Sequence, residues 1–246
     1  MPSTGWASIT ETATAHWLGR IGYLEAAALQ HTLVEARKKD EVPDTFLFLE
    51  HPPVITLGRA SHAENVLAPF DVLKGRGIEV WETTRGGDVT YHGPGQLVGY
   101  GIVDLKRHGR DVAAYLRKLE EALIALCARH GLAGGRREGM TGVWLGNEKV
   151  CAMGVRVDHW VTSHGFALNV GDDLSDFDLI VPCGIRSHGV TSLSRASGEN
   201  TALEDVARQA MSELAEVFGW RTEWGGGLAQ AGAVPERVLG GVRRIL

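Results

Sequence analysis

Two apolar runs, Thr141-Gly-Val-Trp-Leu145 and residues 149–157, lie on either side of a Gly146-Asn147 turn, and this pattern constrains the fold more than any other. A Gly-Asn pair between β-rich runs suits a two-residue hairpin, which predicts a tight antiparallel strand pair. Further strand-like runs fall at 45–49, 54–57, 78–82, 97–103 and 164–170. A helix is predicted over 23–39, with Ala26, Leu29, Leu33 and Ala36 on one face. A second runs from an Asp111 N-cap to a stop at Gly131, with the stripe Val112, Tyr115, Leu119, Leu123 and Leu126. The third opens with a capping box, Thr201-x-x-Glu204, carries Leu203, Val206, Ala210, Leu214 and Val217, and ends at Gly219. Residues 61–74 read as loop or short helix. The segment 171–197 reads as a long irregular connection, of a length that points to function. Most neighbouring strands are joined by turns and not by helices, which predicts an α+β fold with a mixed, largely antiparallel sheet and packed helices. No repeat or linker divides the chain. Residues 1–224 are expected to form one domain, and 225–246, rich in Gly, Ala and Arg, a loosely held tail.

Composition excludes several function classes. The net charge of −5 argues against nucleic acid as the main partner. No apolar run approaches the roughly 20 residues that span a bilayer, and residues 1–10 lack the basic and apolar regions of a signal peptide. Three cysteines, Cys127, Cys151 and Cys183, contain no CxxC pair, so neither a disulfide framework nor a zinc knuckle is indicated. A reducing cytoplasm is the expected compartment. The histidines form no HExxH and no close pair, so no metal site is expected.

Chemistry concentrates in Arg85-Gly86-Gly87-Asp88-Val89-Thr90-Tyr91-His92-Gly93-Pro94-Gly95-Gln96. Its glycines permit close backbone approach to a ligand, and its polar side chains can bond or titrate. As a polar connection between the strands 78–82 and 97–103, it suits the wall of a small-molecule site; an ordinary glycine turn is the plainer reading. Neither a P-loop lysine nor a dinucleotide fingerprint accompanies it. Among the thiols, Cys127 lies beside Leu123 and Leu126 on a helix, and Cys151 sits in a strand with Lys149 and Met153 on its face by the period of two. Cys183 occupies a sharply turned Val-Pro-Cys-Gly-Ile loop, where a thiol is either presented to a ligand or buried as a small apolar group. Lys149 is the one charge in the run 149–155, either solvated at the strand start or poised in a pocket. A lysine beside a thiol favours the nucleophilic thiolate. Arg136 and Arg137, with Arg107 and Arg110 nearby, read as solvated surface or as a dock for an acidic partner.

Five segments, taken in order, resemble the lipoyl (octanoyl) transferases, the lipoate-protein ligase B family. They are His51-Pro-Pro-Val-Ile-Thr-Leu-Gly58, the Arg85–Gln96 stretch, Lys149-Val-Cys-Ala-Met-Gly-Val-Arg156, His164-Gly-Phe-Ala-Leu-Asn169, and Pro182-Cys183-Gly184 followed by Gly189-Val-Thr-Ser-Leu193. The resemblance implies a fold related to the biotin and lipoate protein ligases. It implies transfer of an octanoyl group from octanoyl-acyl carrier protein to a lysine of lipoyl domains, in oxo-acid dehydrogenase E2 subunits and the glycine cleavage H protein. No cofactor is expected. Cys183 falls on the family's acyl-thioester nucleophile and Lys149 on the lysine that activates it. Arg85, Gly86, Gly87, Asp88, Val89, Thr90, Tyr91 and His92, with Ala152, Met153, Gly154, Gly165, Phe166 and Ala167, fall on the acyl pocket. Cys151 has no part in that mechanism. An ATP-dependent lipoate ligase shares the fold and a similar stretch but needs no nucleophilic cysteine.

Overall fold

The computed structural model describes residues 11–171, 173–185, 187–225 and 242–246. In chain order the elements are β1 (Thr12–Arg20), α1 (Tyr23–Lys38), β2 (Asp44–Glu50), β3 (Val54–Leu57), α2 (Phe70–Gly75), β4 (Glu79–Glu82), β5 (Val89–His92), β6 (Gln96–Ile102) and α3 (Val112–Arg129). There follow β7 (Gly134–Arg137), β8 (Met140–Leu145), β9 (Glu148–Asp158), β10 (Val161–Asn169), α4 (Leu193–Ser197), α5 (Leu203–Phe218), β11 (Arg221–Trp224) and β12 (Arg243–Arg244). Eight strands form one sheet in the order β11-β1-β2-β6-β10-β9-β8-β7, and four form a second in the order β12-β4-β3-β5. Pairing is antiparallel except for β1 with β11, β1 with β2, and β3 with β4. The fold is therefore α+β with mixed, largely antiparallel sheets, as the turn pattern predicts.

Strand β2 shows why its sequence has no polar alternation. Phe46 and Phe48 pack with Leu119, Leu123 and Leu126 of α3 and with Val206, Ala210 and Leu214 of α5. Leu47 and Leu49, on the opposite face, pack with Ala26, Leu29 and Val34 of α1. A strand covered by helices on both faces reads as a continuous apolar run. The smaller sheet packs Ile55, Val80, Val89 and Tyr91 against Leu73 of α2 and against Phe177 and Ile180.

Three details depart from expectation. The Arg85–Gln96 stretch contains a strand, β5, and is not wholly a connection. The Thr201 capping box does not form: the N-cap of α5 is Ala202, with no side-chain cap bond. Strand β1 and the edge strands β7 and β11 carry no pattern strong enough to predict. Of the tail 225–246, the described residues 242–246 are held: β12 pairs with β4, Val242 is buried, and Leu246 packs against the smaller sheet's core. Among the described residues no helix is long and apolar enough to cross a membrane.

Candidate active site

Cys183 sits in a single helical turn, Pro182–Gly184, with left-handed backbone angles of φ 56° and ψ 19°. A non-glycine residue there is uncommon and held by its surroundings. The surroundings are specific. Val181 N–H donates to the Asn65 carbonyl at 2.7 Å, and the Asn65 side chain donates to Asp88. Gly184, also left-handed at φ 69°, lies so close to Asp88 that a Cβ there would meet Oδ2 at 2.7 Å. The cysteine turn is thus seated on the glycine-rich stretch through Asp88.

Lys149 reaches the same point from the other side. The β8–β9 ladder shifts register between Val143 and Trp144, so Cys151 pairs with Val143 and Lys149 with Trp144. The bulge places consecutive Val150 and Cys151 in the core and turns Lys149 away from them. This corrects the period-of-two expectation that put Lys149 on the face of Cys151. Downstream of the cysteine, the chain returns to the lysine: Lys149 N–H donates to the Gly189 carbonyl at 3.0 Å, and Thr191 N–H to the Lys149 carbonyl at 3.0 Å. The buried lysine places Nζ 3.6 Å from Cys183 Sγ and 3.3 Å from the Thr141 carbonyl. The same ammonium lies 4.8 Å from the centre of the Trp144 ring, a cation–π contact.

The pair opens onto a cavity of about 630 Å³. Of the predicted pocket residues, Arg85, Gly86, Gly87, Asp88, Thr90, His92, Ala152, Met153, Gly154, Gly165, Phe166 and Ala167 line it. Val89 and Tyr91 do not. Strand alternation turns them to the opposite face of β5, where Val89 joins the smaller core and the Tyr91 hydroxyl donates to Asp176 Oδ2 at 2.7 Å. Lining residues not foreseen include Tyr23, Thr56, Tyr100, Val112, Leu116 and His164. His164 lies within a quoted motif, and Val112 and Leu116 lie in the first turns of α3, so motif membership and helix register were the available signals.

The imidazoles in and behind the polar wall are held neutral. Burial lowers the pKa of His51 to about 4, and of His92 and His164 to about 3. His92 Nδ1–H donates to Gln96 Oε1 at 2.7 Å, and the Gln96 amide donates to Asn169 Oδ1 at 2.9 Å. Asn169 in turn donates to the Thr191 carbonyl, which links this wall to the segment that holds Lys149. Arg85 is buried, which lowers its pKa, and its guanidinium donates to the Thr56 carbonyl at 2.7 Å and the Gly86 carbonyl at 3.1 Å. It staples β3 to the glycine-rich stretch.

Gly184 N–H donates to the Val181 carbonyl and Ile185 N–H to the Pro182 carbonyl, both at 3.0 Å, which closes the cysteine turn. Arg136 binds buried Glu120 and the Arg117 carbonyl, while Arg137 binds His188 and Asn147 and stacks on Trp144. Both guanidinium groups are anchored by bonds within the fold, and Arg136 stays exposed at the surface. Among the described residues the one cluster with metal-ligand geometry is Glu11, Asp44 and His108. There Arg37 and Arg107 already supply the positive charge to Asp44 and Glu11.

The family model "Lipoyl protein ligase A/B catalytic domain" matches residues 22–215. An octanoyltransferase of Solibacter usitatus is 50% identical over 214 residues, covering 87% of this chain and 96% of that protein. A putative lipoate protein ligase from T. acidophilum, solved with bound lipoic acid, superposes with a TM-score of 0.72 at 14% identity and 93% coverage of both chains. A structure of a bipartite lipoate protein ligase and its E2 lipoyl domain from Thermoplasma acidophilum gives a TM-score of 0.68 at 15% identity, covering 93% of this chain and 91% of that one. The chain belongs to the lipoyl protein ligase A/B family, on its octanoyltransferase (lipoate-protein ligase B) branch, and is a transferase.

Proposed function

We propose that this enzyme moves an octanoyl group from octanoyl-acyl carrier protein to a specific lysine of lipoyl domains, through an acyl-thioester on Cys183. The observation that carries the reading is the Lys149 ammonium 3.6 Å from Cys183 Sγ, at a cavity with apolar walls. An adjacent cation stabilises the thiolate that attacks the donor thioester; the acyl group passes to the cysteine sulfur, and the carrier's sulfur leaves as a thiol with the proton that Lys149 gives up. One thioester replaces another, so the step requires no ATP. The acceptor lysine loses a proton and attacks the acyl-enzyme, forming an amide and releasing the Cys183 thiolate. Lys149, neutral in the acyl-enzyme, is the base that takes that proton. The cavity wall formed by Met153, Phe166, Val112 and Leu116 holds the alkyl chain.

The acceptors on this reading are lipoyl domains of oxo-acid dehydrogenase E2 subunits and the glycine cleavage H protein. The compartment is the cytoplasm, where a thiolate nucleophile stays reduced. The described residues up to 224 act as a single catalytic unit, to which 242–246 add β12. Intact mass after mixing with octanoyl-acyl carrier protein tests the reading. The expected result is a gain of one octanoyl group on Cys183 without ATP, lost in Cys183→Ala. A stable adduct on that variant, or acylation only with ATP, would reject the cysteine route.

A further inference from the structure

We infer that Glu120 is a positioning residue for Lys149, acting through the single peptide group that joins Thr141 to Gly142. The inference rests on the proposed role of Lys149 as partner of Cys183. Glu120 lies on α3 with its side chain wholly buried, an unusual place for a carboxylate. Its Oε2 accepts from Arg136 Nε at 2.9 Å and from Arg117. Those two bonds neutralise the charge and leave Oε1 for a different task. Oε1 accepts from Gly142 N–H at 2.9 Å. The carbonyl of that same planar peptide unit, Thr141 O, accepts from Lys149 Nζ at 3.3 Å.

The carboxylate, the peptide and the ammonium therefore form one hydrogen-bonded relay. A planar peptide turns as a unit, so fixing its N–H fixes the direction of its carbonyl. A carboxylate on the N–H also polarises the group and strengthens the carbonyl as an acceptor. The position tolerates nothing but glycine: Gly142 has φ 132°, and a Cβ there would lie 2.5 Å from the Cys151 carbonyl. This peptide lies one residue before the register shift that sets Lys149 opposite Trp144. Without Glu120 the Thr141 carbonyl is free to rotate, and the ammonium loses one of the groups that hold it at the sulfur.

The test compares Glu120→Ala, Glu120→Gln, Glu120→Asp and Lys149→Ala in octanoyl transfer, in the pH–rate profile of Cys183 alkylation, and in thermal midpoint. Glu120→Ala should lower kcat on the order of tenfold, through misplacement of a catalytic group, and move the alkylation profile toward alkali. Gln keeps an acceptor for Gly142 N–H but loses the charge, and Asp keeps the charge but is too short to reach. The inference expects Gln to stay within about threefold of wild type and Asp to fall below it. A purely ionic, structural role predicts the reverse order, with thermal midpoints that track activity. Should Glu120→Ala fail to fold, the Gln and Asp pair decides alone. Equal impairment of Gln and Asp, or an unmoved alkylation profile in a folded Glu120→Ala, overturns the inference. If Lys149→Ala itself behaves as wild type, the proposed pairing fails instead.

Discussion

Burial separates the three thiols at the scale of single residues. Burial raises the pKa of Cys127 to about 11 and of Cys151 well above the ordinary range, so both stay protonated at neutral pH. Cys183 is partly exposed beside an ammonium. Iodoacetamide at pH 7 should therefore modify the native protein once, at Cys183, and three times only after denaturation. Mass spectrometry of tryptic peptides checks this, and early modification of Cys151 would contradict it. Cys183 was legible in the sequence because a Pro-Cys-Gly turn announces its own geometry. Glu120 was not. One of two adjacent acids beside a helical stripe reads as solvated, and its partners outside α3 come from β7 and β8, which no local pattern connects to α3.

Elements carry the site as much as residues do. Helix α3 begins at an Asp111 cap, whose side chain accepts from Ala114 N–H at 2.9 Å, and its first turns place Val112 and Leu116 on the cavity wall. Asp111→Ala should cost about 1 kcal/mol of stability, visible as a lower urea midpoint. It should also raise KM for the acyl donor, because the frayed turn is part of the wall; an unchanged midpoint would show the cap to be idle. The cap was readable from sequence alone. The strand β5 was masked by the glycines and proline around it, and with it the alternation that sends Thr90 and His92 to the cavity and Val89 and Tyr91 away. The bulge at Lys149 was beyond sequence reading, since a ladder shift depends on which strand lies alongside.

The molecule as a whole buries three imidazoles around one cavity wall and holds them neutral. Their folded pKa values, about 4 for His51 and about 3 for His92 and His164, lie below the ordinary 6.5. The unfolded chain therefore takes up protons first as pH falls. Stability is complete above pH 6.5 and declines toward pH 4, by up to roughly 1.4 kcal/mol per pH unit for each histidine. Urea unfolding at pH 7 and at pH 5 should show the loss before most carboxylates titrate; a flat response over that interval would mean the imidazoles are not held neutral. The pairing of Lys149 with the 189–191 segment has a consequence of another kind. Surface loops ordinarily absorb insertions and deletions. Here both ends are pinned, Gly184 against Asp88 and Val190 beside Lys149, so a change in the number of residues between them should displace the rung at Val190 or part the sulfur from the ammonium. Changes of length in this loop should therefore cost more than a substitution at exposed Ser187.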